Sequence, residues 1–175
     1  MASILFIYST TDGQTLRICE RLQHICQGQG HQTTILPVQN WREQNLAAFD
    51  KIIVGASIRY GKHSPLVFDF FNANAQMLSS RPHGFFTVNV VARKPAKNQP
   101  DTNPYMIKLL QRITGRPPLL GVFAGKINYP ALGPLDRTVI RFIMWMTKGP
   151  TDPSGVFEFT DWNQVDAFGM QITQL

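Results

Sequence analysis

Residues 9–15 read Ser9, Thr10, Thr11, Asp12, Gly13, Gln14, Thr15 and follow the apolar run Ser3–Tyr8. Four of the seven carry hydroxyls, and the stretch after them, about Gln14–Gln27, has helical periodicity. A strand that hands over to a helix through such residues can cradle a phosphate. The first amides of a helix lack intrahelical partners and carry the positive end of its dipole. Hydroxyls add donors, and Gly13 lets the backbone approach an anion closely. An ordinary capped strand-to-helix turn is the other reading of the same residues. Neither G-x-x-x-x-G-K-[ST] nor G-x-G-x-x-G occurs, which weakens a nucleoside-triphosphate or Rossmann reading. The four histidines, His24, His31, His63 and His83, show no paired ligand spacing, so no metal site is expected.

The elements that must position this stretch alternate. Strand-like apolar runs fall at Ser3–Tyr8, Thr33–Leu36, Lys51–Ala56, Gly84–Val91 and Leu119–Ala124. Helical stretches lie between them at about Gln14–Gln27, Glu43–Phe49, Pro65–Leu78 and Pro104–Thr114. A last one covers about Asp161–Ile172, with Asp161 as N-cap. Five strands alternating with helices imply right-handed crossovers and a parallel sheet with helices on both faces. Two segments interrupt the pattern: the proline-rich loop Lys94–Pro104, and a long insertion at about 126–155 before a late candidate strand, Val156–Phe159. The 175 residues read as one domain, 1–175.

Composition narrows the class. With 43% hydrophobic and 16% charged residues the chain is globular. No signal peptide is expected at the N-terminus, and no window of ~18 uncharged apolar residues suggests a membrane span. Cys19 and Cys26, if on one helix, stand ~10 Å apart by helical rise, beyond the ~7 Å reach of a disulfide. They read as reduced core thiols of a cytoplasmic protein. The net charge of +6 is uneven: residues 81–148 hold eleven Lys and Arg against Asp101 and Asp136, leaving −3 for the rest. Such asymmetry points to an anionic partner. Nucleic acid is not expected, because that segment has no recognised motif or interleaved aromatics.

Ser9–Thr15 resembles the FMN phosphate loop of flavodoxins, S/T-x-T-G-x-T, with the extra acidic Asp12 before the glycine. Asp50–Gly61 (DKIIVGASIRYG) resembles the third flavodoxin strand and the loop that covers the flavin. Asn89–Lys94 (NVVARK) sits where the other flavin loop should be. Each follows an expected strand, as ligand loops of this fold do. Ser9–Thr15, Ile53–Gly61, Val88–Pro95, Ala124–Pro130 and Thr160–Trp162 together are similar to the menaquinone-dependent protoporphyrinogen IX dehydrogenase family, flavodoxin-like enzymes of haem synthesis. The resemblance spans nearly the whole chain. It implies a flavodoxin-like α/β fold whose long insertion interrupts the last strand. It further implies FMN as cofactor, protoporphyrinogen IX as substrate and a membrane quinone, menaquinone or ubiquinone, as acceptor. A flavodoxin-type electron carrier and an NAD(P)H:quinone reductase of the same fold are the alternatives.

On this resemblance the cofactor residues are Ser9–Thr15, then Ser57, Ile58, Arg59, Tyr60 and Gly61, then Asn89, Val90, Val91, Ala92, Arg93 and Lys94. Tyr60 is the candidate to lie against the isoalloxazine. Arg59, Lys62, Arg93, Lys94 and Lys97 are candidates for substrate carboxylates, since guanidinium and ammonium groups pair well with them. A solvated basic loop is the other reading. No acid–base dyad is evident, so no catalytic residue is assigned. Within the insertion, Leu135–Lys148 is helical in pattern. Arg137, Arg141 and Lys148 fall within an arc of about 40°, and Leu135, Val139, Phe142 and Met146 lie opposite, bordered by Trp145. At ~21 Å this helix is too short for a ~30 Å hydrocarbon core. Either its apolar side packs on the protein, or Arg137, Arg141, Phe142, Trp145 and Lys148 meet an anionic membrane surface. The quinone favours the latter, with peripheral attachment on the cytoplasmic side.

Overall fold

The computed structural model describes residues 1–175. Five strands form one parallel sheet: β1 (Ser3–Ser9), β2 (Gln32–Pro37), β3 (Lys51–Ser57), β4 (His83–Val88) and β5 (Leu119–Phe123), in the order β2-β1-β3-β4-β5. All four pairings are parallel, so the ligand-binding edge is the line of carboxyl ends. At that edge Ser9 stands beside Ala56, Ser57 beside Val88, and Val88 beside Phe123.

The two-residue period of the strands divides their side chains between two cores. Leu5, Ile7, Ile52, Val54 and Phe85 face α2 (Pro65–Ala73) and the buried Trp41. Ile4, Phe6, Ile53, Phe86 and Phe123 face α1 (Gln14–Gly28) and the C-terminal helix Trp162–Gln174. On this second face Phe86, Phe123 and Phe168 meet edge to face, with centroids 5.5–6.0 Å apart. That arrangement favours aromatic packing beyond area burial alone. Cys19 and Cys26 are buried and free, as expected. The Lys51 ammonium donates to the carbonyls of Ile172 and Thr173, 3.0 Å from each, and so neutralises the end of the last helix.

Several boundaries differ from the expected ones, each for a local reason. The Glu43–Phe49 helix is absent. Short 3₁₀ turns occupy Val38–Glu43 and Leu46–Ala48, where Val38 and Trp41 reach the core three residues apart, at the 3₁₀ period. The Pro65–Leu78 helix splits at Asn74, whose side-chain amide donates to the Phe70 carbonyl at 2.7 Å, and α3 (Ala75–Ser79) resumes after it. The fourth strand stops at Val88 because Asn89 turns the chain, its side chain accepting the Ala92 amide at 3.0 Å. After it, Asn103 caps α4 (Pro104–Leu110).

The insertion begins beyond β5 instead of splitting it. β6 (Lys126–Asn128) pairs antiparallel with β7 (Val156–Glu158) in a separate two-stranded ribbon. Between them runs α5 (Pro134–Met146), and the last helix is α6. Ile127, Tyr129 and Met144 form a third, small core beneath this segment, and the Tyr129 hydroxyl donates to the Pro150 carbonyl at 2.6 Å.

The tightest point of the sheet is Gly55. A Cβ there would stand 2.2 Å from Phe86 Cζ, and that ring is locked by Phe123 and Phe168. Gly55→Ala should therefore destabilise the fold by about 2 kcal/mol through overpacking, read as a lowered midpoint in urea denaturation.

Candidate functional site

At the carboxyl edge of the sheet lies a cleft between the 9–15 loop, the turn after β3, the loop after β4 and the insertion. The 9–15 loop leaves donors that could hold an anion. Gly13 adopts φ +88°, in the left-handed region that favours glycine, and a Cβ there would meet nothing within 4 Å. The Gly13 amide donates to Thr10 Oγ1 at 2.9 Å, which fixes the loop. No side chain caps α1, so its first amides stay available. Thr15 is fully buried, and its hydroxyl has no hydrogen-bond partner. An orphaned buried hydroxyl beside uncapped helix amides fits an anion as the missing partner, and a phosphate monoester meets that requirement.

The acidic Asp12 does not oppose this. It is ion-paired with Arg59, which clips the 9–15 loop to the turn after β3. In that turn Tyr60 and Gly61 both have positive φ, +50° and +73°, and Arg59 and Lys62 exchange backbone hydrogen bonds across it. The two-residue turn has the positive φ values of type I′ and leaves the Tyr60 ring half exposed at the cleft.

The third loop is held from below. Asn89 is buried and bonded to Asn103 at 3.1 Å, which ties the cleft loop to the start of α4. Arg93 donates to the carbonyls of Val90 and Thr147, at 3.0 and 2.9 Å, and its guanidinium lies over Phe159. Burial holds its pKa below the usual guanidinium range.

The expected residues divide accordingly. Thr10, Asp12, Gln14, Ser57–Gly61, Asn89–Val91 and Arg93 line the cleft. Ser9 and Thr11 instead line an adjoining groove, Ala92 is buried in the core, and Gly13, Thr15, Lys94 and Lys97 line neither space, Thr15 being fully buried. The side chain of Gln14 is committed elsewhere: its amide donates to Glu158 at 3.0 Å and Thr160 at 2.8 Å, which leaves only its backbone for a ligand. Arg59 and Arg93, expected as free cations for carboxylates, are engaged with Asp12 and with backbone carbonyls. The fourth wall was not foreseen. It comes from the insertion, through Ile127, Leu132, Ile140, Ile143 and Met144, and is apolar. Its signal was present in the sequence: the insertion leaves the carboxyl end of a strand, as the other three loops do.

α5 is turned opposite to an electrostatic membrane helix. Arg137 donates to the carbonyls of Tyr129 and Leu132, 3.2 Å from each, and Arg141 to that of Thr151 at 2.9 Å. Lys148 lies beyond the helix end with φ +57°. The apolar side faces outward, with Leu135 75%, Trp145 70%, Met146 58% and Phe142 56% exposed. No helix of the chain is long and apolar enough to cross a membrane.

This architecture is that of a flavodoxin, and the chain belongs to the flavodoxin domain family, which it matches over residues 5–154. Within that family it belongs with the protoporphyrinogen IX dehydrogenases [quinone]. It is 38% identical, over 98% of its length and 94% of the relative's, to the protein of that name from Escherichia coli K12. To the Leishmania major protein of the same name it is 36% identical over 98% of its length and 74% of the relative's. Reduced Megasphaera elsdenii flavodoxin superposes with a TM-score of 0.61 at 12% identity, covering 98% of this chain and 99% of that one. Oxidised flavodoxin 1 of Bacillus cereus gives 0.57 at 14% identity, covering 99% and 98%. At those identities the two flavodoxins speak to the fold.

Beneath the site His63 is buried, 2.9 Å from the Thr87 hydroxyl, and burial lowers its pKa to about 4. Below its unfolded pKa of about 6.5 the unfolded chain binds a proton that the native imidazole refuses, so stability falls as pH drops from 6.5 toward 4. Between pH 7 and pH 4.5 the wild type should lose about 2 to 3 kcal/mol more unfolding free energy than His63→Gln. Parallel urea titrations of the two proteins measure this.

Proposed function

We propose that this chain oxidises protoporphyrinogen IX to protoporphyrin IX, with FMN in the cleft and a membrane quinone as acceptor. The observation that carries the reading is the 38% identity along 98% of the chain to a protein named for that reaction. The donor-rich cleft is consistent with it. In the overall balance the substrate loses six hydrogens, and three quinones each take two to become three quinols. When bound, FMN supplies the two-electron transfer that side chains cannot perform.

The chain's own residues bind, orient and exclude water. The uncapped amides of α1, with the hydroxyls of Thr10 and Thr15, are the phosphate donors in this reading. Tyr60 presents its ring to one side of the cleft, and the Asn89–Val91 backbone forms another. Ile140, Ile143 and Met144 keep the insertion side dry, which suits an apolar acceptor. His63 is buried and bonded to Thr87, and burial favours its neutral form.

The same reading places the protein at a membrane surface through α5, with the roles of its residues changed. Phe142, Trp145, Leu135 and Met146 are the inserting groups, while Arg137 and Arg141 brace the helix against its own backbone. Their exposed apolar area borders the cleft wall at Ile143. Amphipathic helices bind interfaces through buried apolar area as well as charge.

Two experiments test these assignments. Thr15→Val removes an unpartnered buried hydroxyl and keeps the shape. The ligand-free chain should become more stable by about 1 kcal/mol, while FMN affinity falls about tenfold or more. Opposite signs in thermal unfolding and in a flavin-fluorescence titration identify Thr15 as a ligand group; loss of stability without loss of affinity refutes it. For the membrane, wild type should co-sediment with anionic liposomes, weakened but not abolished by salt. Phe142→Ser with Trp145→Ser should remain in the supernatant with FMN bound, and sedimentation equal to wild type excludes α5 as the contact.

A further inference from the structure

On the other side of the Arg59–Lys62 turn lies a second groove, which shares Ser57, Arg59, Gly61 and Tyr105 with the cleft. Its remaining charged lining is Lys62, Lys108 and Arg112, and no acidic residue lines it. None of these three cations is in an ion pair. Lys108 and Arg112 are four residues apart, on α4 and the turn that continues it. Arg112 is held in place by Phe68, its guanidinium 4.1 Å from the ring centroid. Arg59 is neutralised by Asp12 and so contributes little free charge.

Elsewhere in the basic half of the chain, four of the five other arginines are committed to backbone carbonyls, Arg81 to Leu46 and Phe49, Arg93 to Val90 and Thr147, Arg137 to Tyr129 and Leu132, Arg141 to Thr151, and the fifth, Arg116, lines neither space. The cations of this groove have no such partner. Like charges gathered in a concave surface without a counterion repel one another and raise the local potential toward an anion. Guanidinium and ammonium groups together suit carboxylates.

Resting on the reading that the substrate is a porphyrinogen, we propose that this groove is the carboxylate-binding subsite, with Lys62, Lys108 and Arg112 receiving the two propionates. Protoporphyrinogen carries both propionates on one edge of the macrocycle. An edge held here reaches the cleft through the shared wall of Arg59, Gly61 and Tyr105. The groove is also rigidly joined to the cleft loop: Asn103 accepts the amides of Tyr105 and Met106 at the head of α4 and bonds to Asn89. Lys108 and Arg112 are therefore specificity-determining residues that the loop sequences did not reveal.

The test uses the FMN-loaded protein and the double variant Lys108→Glu, Arg112→Glu, both positions being exposed. The variant should raise KM for protoporphyrinogen IX at least tenfold with kcat within twofold. It should also weaken binding of the product protoporphyrin IX, followed by porphyrin fluorescence, by a similar factor. Oxidation of the dimethyl ester, which lacks the charges, should be unchanged, as should FMN affinity. Arg42→Glu with Arg116→Glu, both exposed and outside cleft and groove, alters net charge equally and should leave KM within twofold. An unchanged KM for the dicarboxylate in the groove variant overturns the assignment, as does an equal loss for the ester or an equal effect of the Arg42 and Arg116 pair. Lost FMN affinity assigns the groove to the cofactor phosphate instead. A wild type that binds FMN but never oxidises protoporphyrinogen overturns the underlying reading and this subsite with it.

Discussion

A parallel sheet buried on both faces can meet a ligand only at the ends of its strands, and the rest of this molecule follows from that constraint. Ile4 to Ile7 and Ile52 to Val54 are all buried, alternating between two cores. No side chain in the middle of a strand is free for chemistry. Polar groups therefore collect where the strands stop, at Ser9, Ser57 and Asn89. The backbone there must turn sharply, so Gly13, Tyr60 and Gly61 take left-handed conformations in the loops at that edge. The core is dense enough to hold this edge steady: Gly55 has no room for a methyl group.

The cations show a division of labour with a physical basis. A guanidinium presents several donors in a planar fork and loses hydration more easily than an ammonium. Arg93 and Arg137 use that fork to bind carbonyls and fasten the insertion to the sheet edge and to itself. The Gln14 side chain joins the 9–15 loop to Glu158 and Thr160, just past the insertion. The insertion is thus bonded directly to the loop after β4, and its flank to the 9–15 loop, so that its apolar wall is a fixed part of the cleft. Four of the arginines that make residues 81–148 basic, Arg81, Arg93, Arg137 and Arg141, are structural. The charge that remains free is on the lysines and on Arg112 and Arg116.

The cleft accordingly has unlike flanks. On one side stand the apolar residues of α5, continuous with an exposed apolar surface. On the other, past the Arg59–Lys62 turn, lies a basic groove without acids. An anionic hydrogen donor and an apolar hydrogen acceptor make opposite demands on a surface, and this arrangement meets them on separate faces. One compact fold can serve both without burying an unpaired charge.

The five strands and the parallel sheet were legible in the residues, because strand burial and alternation with helices are local in their chemistry. Ser9–Thr15 carries its hydroxyls, glycine and helix start within seven residues, yet only Thr10, Asp12 and Gln14 of that stretch line the cleft. The 38–48 region was not legible, since Val38 and Trp41 are placed by tertiary packing at a 3₁₀ spacing too brief to produce a pattern. Nor was the pairing of β7, whose partner β6 lies nearly thirty residues earlier. The orientation of α5 was decided only by tertiary structure. Periodicity separates a basic side from an apolar side, but it does not say which one faces the protein. The carbonyls of Tyr129, Leu132 and Thr151 are in reach of Arg137 and Arg141, and hydrogen bonds to them hold Arg137 half-buried and Arg141 along the surface and leave Phe142 and Trp145 in the open. The partners of Arg59 and Arg93 were hidden for the same reason: Asp12 and Thr147 are 47 and 54 residues away along the chain, and only folding brings them within hydrogen-bonding distance.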